Sequence, residues 1–276
     1  MKIFIVGLGL IGASYAECLR ELGHDVYGHD TDATTMRKAT GNGIIKGGTI
    51  NMMSTCDVVV LALYPEANIK FVKNNLDRFK AGQLLTDVSG VKRTMVAAIE
   101  SLLPKTVDYV SHHPMAGSEN PGFDARDRTL FRGANAIVIT TPNTRNDPVD
   151  RLKKLLETIG FSTIKEATPE RHDAFIALTS QLPHALAMAL MKGSDVETLD
   201  FAGNSFKDLT RIASINAPMW SELFLSNKEY LIEELHKMSE ELLLIAQYLK
   251  TDDATALTRY MEASKEKRDV YGNHQD

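Results

Sequence analysis

The stretch that most limits what this chain can become is Gly7-Leu8-Gly9-Leu10-Ile11-Gly12, set between an apolar run and a helical pattern. Residues 2–6 have the length and β-branched content of a buried parallel strand. Residues 13–22 are spaced as a helix that ends at Gly23, and a second apolar strand over 25–28 stops at His29-Asp30. G-x-G-x-x-G in that setting predicts a βαβ dinucleotide-binding unit. Gly7 permits the tight turn, Gly9 lets the backbone approach a pyrophosphate, and Gly12 lets helix and strand pack closely. The phosphates then lie on the helix N-terminus. Asp30, at the end of the second strand, is placed to bind a ribose 2′-hydroxyl and to repel a 2′-phosphate, which indicates NAD rather than NADP. Arg37 and Lys38 follow closely and are the one feature that favours the phosphorylated cofactor. Leu10 and Ile11 at the helix start, and Leu63 at the end of the third strand, are candidates to line the cofactor.

Further strands are expected over 57–63, 83–87, 107–111, 135–140 and 161–164, with helical segments such as 66–79 and 94–103 between them. Alternation of this kind predicts an α/β fold, a Rossmann-type doubly wound and mostly parallel sheet with helices on both faces. Ligands of such sheets bind outside the carboxyl ends of the strands. Three polar, turn-rich segments fall there: 64–66, 87–92 and 112–119. The last, His112-His113-Pro114-Met115-Ala116-Gly117-Ser118-Glu119, carries two imidazoles, the side chain whose unperturbed pKa lies nearest neutrality. Pro114 restricts His113 to extended backbone, which fixes the direction of that ring. A polar surface loop is the competing reading of these residues taken by themselves. Convergence of three such segments on one crevice favours a site.

After Ile164 the alternation stops. Thr168-Pro169 is an N-cap and first-turn pair, and the rest reads as helix, so the chain divides into a dinucleotide-binding domain, 1–167, and an all-α substrate-binding and dimerisation domain, 168–276. One helix is expected over 169–191 with a kink at Pro183. Ser180 and His184, four apart, share a face beside that kink and belong either to a satisfied core or to the site. Lys207 and Arg211 are also four apart; they form either a solvated helical face or a pair of cations for an anion, where arginine grips a carboxylate with two parallel bonds. Trp220 opens a helix expected to reach Lys250. Along it Phe224, Leu231, Leu235, Met238, Leu242, Ile245 and Leu249 follow a coiled-coil spacing, which points to a homodimer, intrachain packing being the alternative. A charged helix over 252–271 closes the chain.

Composition removes several classes. A net charge of −5 and a pI near 5.9 leave no basic face for nucleic acid. Cys18 and Cys56, the only cysteines, lie in apolar contexts without a CxxC pair and fit a reducing cytoplasm. No apolar run is expected to span a membrane, and no signal-peptide layout opens the chain. Zinc-ligand spacing and a serine nucleophile elbow are both missing, so no metal is expected.

Taken together and in this order, the fingerprint over 7–12, Asp87-Val88-Ser89-Gly90-Val91-Lys92, 113–119, Ser180-Gln181-Leu182-Pro183-His184 and Phe206-Lys207-Asp208-Leu209-Thr210-Arg211 with Trp220 beyond resemble the prephenate dehydrogenases, including their arogenate-using members. The resemblance covers essentially the whole chain. It implies oxidative decarboxylation of a cyclohexadienyl substrate in tyrosine biosynthesis: hydride leaves ring C4 for NAD, His113 takes the 4-hydroxyl proton, and loss of CO2 gives the aromatic product. From prephenate that product is 4-hydroxyphenylpyruvate; arogenate would give tyrosine directly. Arg211 would hold a substrate carboxylate, His184 and Ser180 would line the pocket, and Glu119, Ser118 and Lys207 would lie near its mouth. The family often carries a serine at the position of Gly90, where it assists the histidine. Here the hydroxyl stands one residue earlier, on Ser89, which becomes the candidate helper, with a water or Ser111 as alternatives. Gln181 stands where some members carry histidine. The sequence shows neither a fused chorismate mutase before Met1 nor a regulatory domain after Asp276, so feedback by tyrosine is expected to act at the active site.

Two other readings compete. A β-hydroxyacid dehydrogenase would share the layout but use a lysine in the helical half as its acid/base. A non-catalytic NAD-binding dimer would bind the cofactor without consuming it and leave Arg211 beside Lys207 with nothing to hold.

Overall fold

The computed structural model describes residues 1–118 and 120–273. Its first element is the strand β1 (Lys2–Val6), followed by α1 (Leu10–Glu21), β2 (Asp25–His29), α2 (Ala33–Gly41), β3 (Val58–Leu61), α3 (Pro65–Asn74), β4 (Leu84–Asp87), α4 (Arg93–Leu102) and β5 (Asp108–Tyr109). The five strands form one parallel sheet in the order β2-β1-β3-β4-β5. Strands β3 and β4 are buried along their whole length, as strands covered on both faces must be. The period of two sorts their side chains into two cores. Ile3, Ile5, Val58, Val60 and Leu84 pack on one face with α1, while Phe4, Val6, Val59, Leu61 and Leu85 pack on the other with α4.

The expected strand over 107–111 divides. After β5 the chain passes Val110 and Ser111 into β6 (His112–Pro114), which belongs to a second sheet with β7 (Asn135–Ile139) and β8 (Thr163–Ala167), separated by α5 (Asn146–Ile159). β6 runs antiparallel to β7, and β7 parallel to β8. The two histidines therefore lie on a strand and not in a loop. The expected single sheet is two sheets joined through the 110–111 switch.

The all-helical half contains α6 (Pro169–Ile176), α7 (Leu182–Lys192), α8 (Val196–Leu199), α9 (Asn204–Thr210), α10 (Ala217–Ser226), α11 (Lys228–Lys250) and α12 (Ala254–Asn273). The Thr168 hydroxyl caps α6 by accepting from the Arg171 N–H at 3.2 Å. A single π-helical turn, 177–181, joins α6 to α7 and puts Pro183 in the first turn of α7. The expected helix from Trp220 to Lys250 is broken at Asn227, whose backbone leaves the helical region (φ −120°) and whose side chain is buried.

Residues 1–228 form one compact unit, so the helices up to α10 share it with the sheets; a second unit starts at Glu229. The stretch Pro169–Lys192 (mean hydropathy 1.4 in its most apolar window) is long and apolar enough to cross a bilayer, contrary to the expectation that no run approaches a span. Length and hydropathy mislead here, because His172, Asp173 and Gln181 on this stretch are buried and hydrogen-bonded to the rest of the first unit.

Candidate active site

At the fingerprint, Gly7 takes φ +88°, a left-handed conformation that suits glycine, and its N–H reaches the carbonyl of His29 at 2.8 Å. A side chain on Gly12 would come within 1.9 Å of the Gly7 carbonyl oxygen, so only glycine lets α1 sit this close to β1. A side chain on Gly9 would meet nothing within 4 Å. Gly9 thus faces open space at the N-terminus of α1, beside Leu10 and Ile11, where backbone N–H groups and helix dipole favour an anion. Asp30 closes the crevice at the end of β2. Its Oδ2 accepts from the Leu8 N–H and its Oδ1 from the Asp32 N–H, both at 2.8 Å. A carboxylate has about four acceptor positions, so capacity remains for ribose hydroxyls. Leu63 follows β3 and its methyl would collide with any side chain on Gly7. These residues fit a dinucleotide.

Beyond β4 the turn over 87–92 is built around a buried ion pair. Lys92 Nζ donates to Asp87 Oδ1 at 2.8 Å and to the His112 carbonyl at 2.7 Å, with both side chains fully buried. Burial, the largest single influence, would raise the Asp87 pKa; the Lys92 ammonium and the hydrogen bonds the carboxylate accepts together outweigh it and hold the carboxyl below its ordinary range. Tyr109 donates to Asp87 Oδ2 at 2.8 Å. The pair is worth its desolvation only because those remaining lone pairs and protons are matched. Its effect on the site is mechanical: it fixes the backbone of His112, and with it the direction of His113.

The two rings diverge because alternate strand residues point to opposite faces. His112 is fully buried, with Nε2 2.7 Å from the Tyr15 hydroxyl and Nδ1 2.7 Å from the Thr86 hydroxyl. Burial, with the nearby Lys92 charge, lowers its pKa to about 3. His113 is half-buried and points the other way, its Nδ1 2.9 Å from His172 Nε2. Burial first, then the neighbouring His172, Lys92 and His112, push the His113 pKa well below 6.5, so the ring is neutral and able to accept a proton. A side chain on Gly90 would lie 3.9 Å from His113 Nε2 and Cε1 and 3.7 Å from Leu223 on α10. Gly90 is therefore the residue of the turn that faces the ring.

Ser89, the expected helper, is engaged elsewhere. Its N–H is turned onto Asp87 Oδ1 at 2.9 Å, and its hydroxyl accepts from Asn68 Nδ2, also at 2.9 Å. That directs the side chain toward α3, and no bond joins it to His113 among the described residues. Ser111 is buried as well.

On the helical side, His184 Nδ1–H donates to the Ser180 carbonyl at 2.8 Å, and the ring stacks on Trp220 with centroids 3.8 Å apart. Ser180 thus contributes its carbonyl to the orientation of His184. α9 and the turn holding Arg211 pack against α7, the helix that carries His184; Arg211 and Lys207 are both exposed. Ser118 is exposed after β6 and accepts from the Asn120 N–H at 3.1 Å. Glu119 lies outside the described residues.

Four residues of the site carry no motif of their own. Asn68 holds the end of β3 and Ser89; His172 and Asp173 back His113; Asn227 donates to the Asp173 carbonyl at 2.9 Å and to Gln181 Oε1 at 2.8 Å. One signal was available. His172 lies in four-residue steps from Ile176, Ser180 and His184, so it shares their helical row. Among the described residues no cluster of three potential metal ligands occurs.

A dinucleotide cradle, a neutral histidine at the carboxyl edge of the sheet and a helical cover bearing cations define a nucleotide-dependent oxidoreductase. Known proteins narrow the class. Residues 15–165 match the family model for the prephenate dehydrogenase nucleotide-binding domain, and 168–263 match that for the prephenate dehydrogenase dimerization domain. The chain belongs to the prephenate dehydrogenase family, whose members are dehydrogenases of tyrosine biosynthesis. Prephenate dehydrogenase of Bacillus subtilis is 31% identical over 97% of this chain and 75% of its own length. The structure of prephenate dehydrogenase from A. aeolicus in complex with hydroxyphenyl propionate and NAD+ superposes with a TM-score of 0.90 at 29% identity, covering 98% of each chain. Synechocystis arogenate dehydrogenase gives 0.85 at 25% identity, over 98% of this chain and all of that one (100%).

Proposed function

We propose that the chain carries out NAD-dependent oxidative decarboxylation of prephenate to 4-hydroxyphenylpyruvate, with His113 accepting the proton of the ring 4-hydroxyl. The observation that carries this reading is His113 itself: neutral, engaged at Nδ1, and facing Gly90 with Nε2. A base within hydrogen-bond reach of a hydroxyl as hydride departs contributes about 10²–10⁴-fold. NAD supplies the hydride acceptor; the A. aeolicus relative binds NAD+, and Gly7, Gly9, Leu10, Ile11, Gly12, Asp30 and Leu63 would hold it here. The Asp30 carboxylate favours NAD over NADP. Arg211 would pair with a substrate carboxylate, with Lys207 adding positive charge; His184, Ser180 and Ser118 would line the approach.

Loss of CO2 makes the ring aromatic, so no covalent enzyme intermediate is needed. The division at 167/168 would then separate the nucleotide-binding residues, which all precede it, from a helical part that supplies Arg211, His184 and Ser180 to a substrate site completed by His113 and Ser118. A homodimer through the C-terminal helices suits the dimerization-domain match and the exposed Leu235, Leu242 and Leu249 along α11.

NADH or NADPH formation by the purified protein, offered NAD or NADP with prephenate or arogenate, tests the reading. Turnover of prephenate with NAD is expected. Arogenate as the sole substrate would keep the chemistry and change the product to tyrosine. No turnover of either, with NAD bound, would overturn it.

A further inference from the structure

We propose that His172, anchored by Asp173, is a positioning residue that decides which nitrogen of His113 meets the substrate. The inference deepens the reading of His113 as proton acceptor and rests on it for its catalytic consequence. Asp173 is buried at the N-terminus of α4, where its Oδ1 accepts from the Lys92 N–H at 2.9 Å and its Oδ2 from the Arg93 N–H at 2.8 Å. With both oxygens acting as acceptors, the hydrogen in the 2.7 Å contact to Oδ1 belongs to His172 Nδ1. A neutral imidazole has one N–H. Burial, the largest influence on His172, lowers its pKa and keeps it neutral. Its Nε2 is therefore the acceptor, and the 2.9 Å contact with His113 is donated by His113 Nδ1. His113 is left with a bare lone pair on Nε2.

That nitrogen is the one beside Gly90. The opposite tautomer would point an N–H at the arriving hydroxyl and remove the proton acceptor. A second partner of a histidine sets the tautomer of the first, and an orienting group of this kind matters greatly where a ring must accept a proton. The anchor is itself held: Asn227 ties the Asp173 carbonyl to Gln181, and the Asp173 carboxylate ties α6 to α4. A chain with glycine at 90 has no hydroxyl at that position to orient the ring. Here the orientation comes from the far nitrogen.

Nitrogen-15 NMR of histidine-labelled wild-type protein, with His113 assigned through His113→Asn, reads the tautomer directly. We expect Nδ1 protonated and Nε2 bare above neutral pH; the reverse would overturn the proposal, whether or not the enzyme turns over prephenate. Kinetics supply the consequence. His172→Leu removes the acceptor and should lower kcat about 10- to 100-fold, with KM changed less than about threefold. His172→Gln places an amide oxygen near the former Nε2 and should recover most of the loss. Equal losses in both variants, or full kcat in His172→Leu, would sink the positioning role. If the leucine variant does not fold, the wild-type tautomer and the glutamine variant still decide it. Absence of turnover in the wild type would count against the function above and leave the tautomer measurement intact.

Discussion

His112 and His113 are neighbours on β6, so their rings occupy opposite faces of the strand, and the two faces treat an imidazole differently. Beneath β6 both nitrogens of His112 are spent on buried hydroxyls, those of Tyr15 and Thr86. On the other face, among the described residues, only Nδ1 of His113 is spent, and Nε2 looks toward a glycine. Residue type, sequence context and low pKa are shared. On the proposed function, what would separate a structural histidine from a reactive one is whether its second nitrogen has a protein partner.

The sharpest way to break this comparison is to remove the ring proposed to react. His113→Asn should lower kcat by about 10²–10⁴-fold, the span expected for loss of a general base. Its melting temperature and NAD binding should stay close to those of the wild type, because among the described residues one nitrogen only is tied into the fold. A variant that keeps more than a tenth of the wild-type kcat would put the proton acceptor elsewhere. His112→Phe should show the opposite pattern. The Tyr15 and Thr86 hydroxyls lose their buried partner, at a cost of about 1–3 kcal/mol each, measured by denaturant unfolding. The kcat of the folded fraction should change far less than in His113→Asn. Equal kinetic damage from the two variants would abolish the distinction between the faces.

Acid probes both faces together. Folding lowers the His112 pKa from its ordinary 6.5 to about 3, and lowers those of His113 and His172 in the same direction. Between those limits an unfolded chain binds protons that the folded chain refuses, so stability falls as pH falls below 6.5. Each such histidine contributes up to about 1.4 kcal/mol per pH unit. Urea midpoints across that range should show the decline, and His112→Phe should flatten it. Activity should outlast the ordinary histidine pKa, with kcat/KM level through 6.5 and falling only in stronger acid.

The sheet half was legible because its signals are local. The fingerprint, the strand runs and the turns at their ends are written in periods of a few residues, and the five-stranded parallel sheet follows from them, though the switch to a second sheet at 110–111 does not. The supporting shell of His113 was not legible, because its contacts join distant segments. His172 meets His113 across 59 residues, and Asp173 meets Lys92 across 81. Neither contact leaves a periodic trace. The break in the helix after Trp220 was missed for another reason: Asn227 is no obligatory helix breaker, and only the burial of its amide against Asp173 and Gln181 interrupts the helix. Ser89 shows the limit of reading a turn by residue type, since one position of offset sends its hydroxyl to Asn68 and leaves Gly90 before the ring.

Gly90 gives the finest test, because it alters the open face without touching the closed one. Its φ lies outside the left-handed region, and an added methyl would stand at ordinary van der Waals distances, 3.7 Å from Leu223 and 3.9 Å from His113. Gly90→Ala should therefore fold normally and gain roughly 0.4–1 kcal/mol by restricting the unfolded chain. The methyl would nevertheless occupy part of the approach to Nε2, and a small displacement of a reacting hydroxyl is costly. We expect KM for the substrate to rise a few-fold while the NAD affinity, proposed to be set at Gly9 and Asp30, stays level. Gly90→Ser adds a hydroxyl within reach of Nε2 at the same steric cost. If the tautomer of His113 is already fixed from Nδ1, that hydroxyl should bring no gain in kcat over Gly90→Ala. A clear gain would mean that the orientation from the far nitrogen is incomplete, and that the open face was the weaker part of the site.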